Sequence, residues 1–234
     1  MTLENLKAAI TQHLGLNVND ALLKKLKLYA DELQNWNKLF NLTALEKKEE
    51  IYEKHFYDSL IPLQYVDLKD KSIIDLGSGA GFPGLVIALF NESADVTLLE
   101  PNQKKAHFLQ TMVEKLSLKN VTVIVGRAES QNKLRESFDF VIARAVKQLN
   151  ILLELAIPLL KVKGSLIAMK GKKAHSEITQ ARKAFLTLKC KLINKYEDEL
   201  PNLKETRFTL FIVKNDITPI RYPRSYSLIA TKPL

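Results

Sequence analysis

Five short apolar runs, KSIIDL, ADVTLLE, VTVIVG, FDFVIARA and GSLIAMK, follow one another from residue 71 onward, with helix-length stretches between them. This alternation constrains the chain more than any other feature. Near-continuous Val, Ile and Leu strands need cover on both faces, and parallel neighbours need crossovers of a dozen or more residues. The pattern predicts an α/β fold, a doubly wound, Rossmann-like sheet of five parallel strands. After a further helix at about 174–187 come CKLINKYEDEL and RFTLFIVKN, separated only by a turn around PNLKE. That link is too short for a crossover helix, so these two predict an antiparallel hairpin on the sheet edge.

Residues 1–70 read as an N-terminal helical extension and 71–234 as the catalytic domain. In NDALLKKLKLYADELQNWNKLFNL the residues Leu22, Leu26, Tyr29, Leu33, Trp36 and Phe40 recur at spacings of three and four, one apolar helix face, with Asp20 as its expected cap. Trp36 on that face is assigned to packing. A second helix is expected at 47–60, ended by Pro62. The stretch ILLELAIPLL is too short and too interrupted to cross a bilayer, and the amino terminus lacks the basic-then-apolar order of a signal peptide. Neither a membrane span nor a leader is expected. A lone Cys190 cannot form an internal disulfide, which fits the cytoplasm. Residues 161–234 hold 16 Lys and Arg against 6 Asp and Glu, whereas residues 1–160 hold 19 against 20. The whole excess of positive charge therefore sits in the last third, where it would attract a polyanion and make binding salt-dependent.

In an open α/β sheet, ligands sit beyond the carboxyl ends of the strands. The first strand runs into DLGSGAGFPG, where Gly77, Gly79 and Gly81 leave a bend without side chains against which a flat group can lie. The stretch GAGFPG satisfies the dinucleotide pattern, but Asp75 just before the turn would repel a phosphate. It could instead serve an ammonium group directly or through water. No Gly-Lys-Ser/Thr ending marks a P-loop. Glu100, closing the second strand, can accept hydrogen bonds from two ribose hydroxyls. Ala128 and Glu129, after the third strand, fall where an adenine would end. Adenosine with a cationic, amino-acid-like tail describes S-adenosylmethionine better than NAD.

The ordered set WNKLFNLTAL, HFYDSL, DLGSGAGFPG, RAE, FDFVIARAV, GSLIAMKG, RFTLFIVK, YPR and KPL resembles the bacterial glucose-inhibited division protein B family, from about residue 30 to the carboxyl terminus. The family's members are guanine-N7 methyltransferases of small-subunit ribosomal RNA. The resemblance implies a class I methyltransferase fold and methylation of the guanine at nucleotide 527 of 16S rRNA. It also places cofactor contacts on Gly77, Phe82, Glu100, Ala128, Glu129 and Arg144. The chain departs mildly from the family in AMKG, where a leucine commonly precedes the lysine, and in a lysine-rich following helix.

Guanine N7 carries an in-plane lone pair and needs no deprotonation, so no general base is expected and the work falls to positioning. This agrees with isolated histidines at 13, 55, 107 and 175; His55, on an apolar helix face, reads as packed. Arg144 is expected to face substrate phosphate, a base edge or a carboxylate. Lys170, Lys172, Lys173, Arg221 and Arg224 are the other candidates for RNA contact, and Tyr222-Pro223-Arg224 either stacks a base or finishes the domain. No metal-ligand spacing occurs. The expected partner is 16S ribosomal RNA or the small subunit, met by a monomer. Two other readings stand beside this one: an NAD-dependent oxidoreductase on the same glycine turn, and a non-catalytic RNA-binding module.

Overall fold

A computed structural model describes residues 1–234. Seven strands form one sheet in the order β3-β2-β1-β4-β5-β7-β6. The parallel part comprises β1 (Ser72–Leu76), β2 (Asp95–Glu100), β3 (Val121–Val125), β4 (Phe138–Arg144) and β5 (Leu160–Lys170). The hairpin β6 (Cys190–Glu199) and β7 (Thr206–Lys214) is antiparallel, with β7 paired to β5 and β6 at the edge. Strand order reverses between β1 and β4, so the crevice of an open α/β sheet opens above those two.

Alternation along the strands divides the apolar side chains between two cores. Ile73, Ile142, Ile167 and Met169 enter one, while their neighbours Ile74, Val141, Ala143, Leu166 and Ala168 enter the other. The first core also takes α1 (Leu3–Leu14), α2 (Asp20–Phe40), a helical run at 48–64 called α3, α4 (Gly84–Phe90) and α5 (Gln103–Lys115). The second takes α6 (Leu149–Ala156), α7 (Ala174–Gln180), α8 (Arg182–Thr187) and α9 (Tyr226–Thr231).

Two local expectations are corrected. Asn19, not Asp20, caps α2, its side chain accepting from the Leu22 N–H at 2.8 Å, and Asp20 is the first helical residue. The α-helical winding of α3 stops at Leu60 as expected, and Pro62 sits in the closing 3₁₀ turn at Ile61–Gln64, where its missing N–H costs little. The middle of α3, Ile51–Tyr57, is wound as a π-helix. The helix expected at about 174–187 breaks at the buried Ala181 into α7 and α8.

Candidate active site at the rim of the parallel strands

Two carboxylates brace the glycine bend from below. Gly77, Gly79 and Gly81 all have positive φ, at 72°, 58° and 93°, a region costly for any residue with a Cβ. The Gly79 N–H donates to Glu100 at 2.8 Å, and the other oxygen of Glu100 accepts from the Asn102 N–H at 2.8 Å. Asp75 accepts from the Gly84 N–H at 2.9 Å. Asp75 is fully buried, and its second oxygen has no partner. Burial raises its pKa to about 7, against the lowering effect of the Gly84 bond. Its carboxyl lies beneath the turn and ties the bend to α4 through one oxygen.

Tyr29 supports the bend from α2. Its hydroxyl donates to the Ala80 carbonyl, and a Cβ on Gly81 would lie 2.2 Å from that hydroxyl. The sequence reading placed Tyr29 on an apolar face and missed this role; the signal was a hydroxylated aromatic among leucines. Phe82 follows the bend, but its ring packs inward, stacked on His55 at 4.2 Å and on Tyr29 at 5.4 Å, with the Arg144 guanidinium 5.3 Å from its centre. Its side chain belongs to the core, so that only its backbone lies along the bend.

Beside the bend lies a cavity of about 170 Å³ lined by Leu76, Gly77, Leu99, Pro101, Gly126, Arg127, Ala128, Glu129, Val146, Lys147, Leu155 and Tyr226. Its apolar walls suit a flat ring, and Ala128 and Glu129 stand at one side as expected. The Glu129 carboxylate has a single cation near it, Arg127, at 4.0 Å. Tyr226 on α9 closes the recess, with the Arg127 and Lys147 cations over its ring at 5.3 and 6.0 Å. Tyr226 lies near the chain end, and nothing local in the sequence marked it.

Lys147 also lines a second and larger cavity of about 490 Å³, bounded by Lys54, His55 and Asp58 of α3, Arg144, Lys170, Gly171, Glu177 and Arg207. Arg144 faces this cleft. It takes the alternative of a neighbouring carboxylate, donating to Asp58 at 3.1 Å and to the Lys54 carbonyl at 2.7 Å. It also donates to His55 Nδ1 at 3.0 Å, which leaves the His55 proton on Nε2, 2.8 Å from Thr43 Oγ1. Burial, and then the Arg144 charge, lower the His55 pKa to about 3. Its imidazole is neutral and its one lone pair is engaged, so it is no base.

Of the RNA candidates, Lys172, Lys173 and Arg221 are exposed and in no ion pair. Lys170 and Arg224 are redirected. Lys170 is buried, donating to the Lys147 carbonyl and paired with Glu177 at 2.8 Å. Arg224 forks onto the fully buried Glu154 at 2.7 and 2.6 Å, while Tyr222 is itself buried, so Tyr222-Pro223-Arg224 finishes the domain.

The family model described as rRNA small subunit methyltransferase G matches residues 22–201. A ribosomal RNA small subunit methyltransferase G from Mycoplasma capricolum is 42% identical over 215 residues, covering 92% of this chain and 93% of the relative. One from Lactococcus lactis is 39% identical and covers both chains completely. Among solved structures, M. jannaschii TYW2 in complex with AdoMet aligns with a TM-score of 0.57 at 16% identity, covering 73% of this chain and 79% of that one. A SAM-dependent methyltransferase from Aquifex aeolicus gives 0.57 at 15%, covering 74% and 97%. These structural likenesses carry the fold: a class I methyltransferase sheet.

Proposed function

The chain belongs to the rRNA small subunit methyltransferase G family, and from that premise we propose that it methylates N7 of a guanine in small-subunit ribosomal RNA, at nucleotide 527 of the 16S molecule. As a member it is an S-adenosylmethionine-dependent methyltransferase. The single observation that carries the finer reading is the pair of cavities that share Lys147: an apolar recess beside a bend without side chains, and a wider cleft rich in cations.

The residues present fit the cofactor. Gly77 and Gly79 offer open backbone, since a Cβ on Gly79 would meet only the Gly77 carbonyl, at 3.9 Å. Glu100 keeps lone pairs beyond its two backbone bonds for ribose hydroxyls, while Ala128 and Glu129 flank the place for adenine. When bound, S-adenosylmethionine supplies an electrophilic methyl group on a sulfonium. The protein's part is positional. Arg144, locked by Asp58, His55 and the Lys54 carbonyl, forms a fixed wall for the incoming nucleotide, and the bend braced by Asp75, Glu100 and Tyr29 holds the other reactant still. No proton has to leave N7, in keeping with a His55 that has no free lone pair.

RNA phosphates meet Lys147, Lys172, Lys173 and Arg221, all exposed and in no ion pair. The enzyme acts as a monomer in the cytoplasm, where small subunits are assembled. Labelled methyl transfer to small subunits from cells lacking the protein, followed by mapping of the modified nucleotide, tests this reading; label on another base or another position overturns it. Replacing Glu100 by Ala is expected to weaken cofactor binding by about 1.5–3 kcal/mol in calorimetry, the value of a hydrogen bond to a charged group. Unchanged affinity would remove Glu100 from the site.

A further inference from the structure

The larger cleft looks strongly basic, with Lys54, Arg144, Lys147, Lys170 and Arg207 in its wall, yet four of these five are already paired with carboxylates. Lys54 pairs with Glu205 at 3.1 Å, Arg144 and Arg207 share one oxygen of Asp58 at 3.1 Å each, and Lys170 pairs with Glu177 at 2.8 Å. Only Lys147, at the mouth of the recess, stands without a carboxylate. A cleft whose inner cations are mostly held by carboxylates suits an uncharged base with hydrogen-bonding edges better than it suits a phosphate.

On the guanine-N7 reading above, the base cannot be identified through N7 itself, which must stay free to react. Guanine is then told from adenine by its N1–H and its N2 amino group, both donors, and these need an acceptor. The cleft holds two carboxylates. Asp58 is clamped by two guanidinium groups, and its other oxygen is buried, out of reach of a ligand. Glu177 is different: only part-buried, it has Lys170 as its one ionic partner, which lies against the buried Oε2 and leaves Oε1 without a partner and open to the cleft as the acceptor. Lys170, held in turn by the Lys147 carbonyl, fixes the carboxylate in place.

We propose that Glu177, set on α7 and steadied by Lys170, is the specificity-determining residue that accepts the N1–H and N2–H donors of the target guanine. An adenine in the same place would turn the lone pair of its N1 toward the carboxylate and be repelled. Inosine, which keeps N1–H but lacks the amino group, would make one bond of the two.

The test uses small subunits assembled with 16S rRNA carrying guanine or inosine at the modified position. The wild-type protein is expected to prefer guanine in kcat/KM by about tenfold or more, the range for losing part of a two-point base contact. In Glu177→Gln the guanine rate should fall and the guanine-to-inosine ratio approach one, with cofactor affinity unchanged. An unaltered ratio in the variant overturns the proposal. So does a wild-type protein indifferent to inosine, a result that needs no variant to fold. Failure of the wild type to methylate any guanine would instead overturn the functional reading beneath it.

Discussion

Two titratable side chains at the site, the buried Asp75 and the half-buried His55, pull stability in opposite directions with pH. The carboxyl of Asp75 is buried and its pKa is raised to about 7, so between about pH 4 and 7 the folded protein holds a proton that the unfolded chain has lost. Its contribution therefore declines as pH rises through that window. His55 has its pKa lowered to about 3, so between about pH 3 and 6.5 the unfolded chain holds the extra proton, and this contribution is lost as pH falls. From pH 4 to 6.5 the two oppose each other. Asp75→Asn keeps an acceptor for the Gly84 N–H but removes the titration. In urea unfolding across pH 4 to 6.5, its stability relative to the wild type is expected to rise with pH by at most about 1.4 kcal/mol per unit. A difference that does not change with pH would show that Asp75 titrates normally.

At the scale of elements, α7 and α8 carry the lysine-rich segment after β5. Ala174, Ala181 and Ala184 pack into the second core, which leaves Lys172, Lys173, Arg182 and Lys183 exposed beyond it. Helix periodicity alone puts small apolar residues on one side and cations on the other. Charge reversal at Lys172 and Lys173 together is expected to weaken RNA binding and to lower the slope of log affinity against log salt by about 1 to 2, one for each lost phosphate contact. An unchanged slope would make these lysines a solvated face and nothing more. The strands were legible because their Val, Ile and Leu runs are bounded by glycine or charge, and the hairpin because its link was short. The π-helical turn in α3 was not, since no propensity marks it; it comes with the packing of Ile51, Tyr52 and Phe56 into the first core.

For the molecule as a whole, the N-terminal helices share one core with the sheet. Leu26, Tyr29, Leu33 and Phe56 lie in the same buried cluster as Ile73, Phe82, Leu98 and Phe108. Residues 71–234 expressed alone would expose that face and lose the Tyr29 support of the glycine bend. They are expected to show no cooperative unfolding transition and no cofactor-induced rise in melting temperature. A truncated chain that melts cooperatively and binds cofactor would show that the helices are dispensable. By itself the sequence determined the order of strands and helices, the glycine bend and the family, because these rest on local periodicity and on residues close in the chain. The partners of Asp58, Arg144, Glu154 and Tyr226 were decided only by the tertiary structure. Each meets a counter-charge or cation far away in the chain, and a guanidinium or carboxylate on a strand end reads alike whether it faces a ligand or a buried counter-charge.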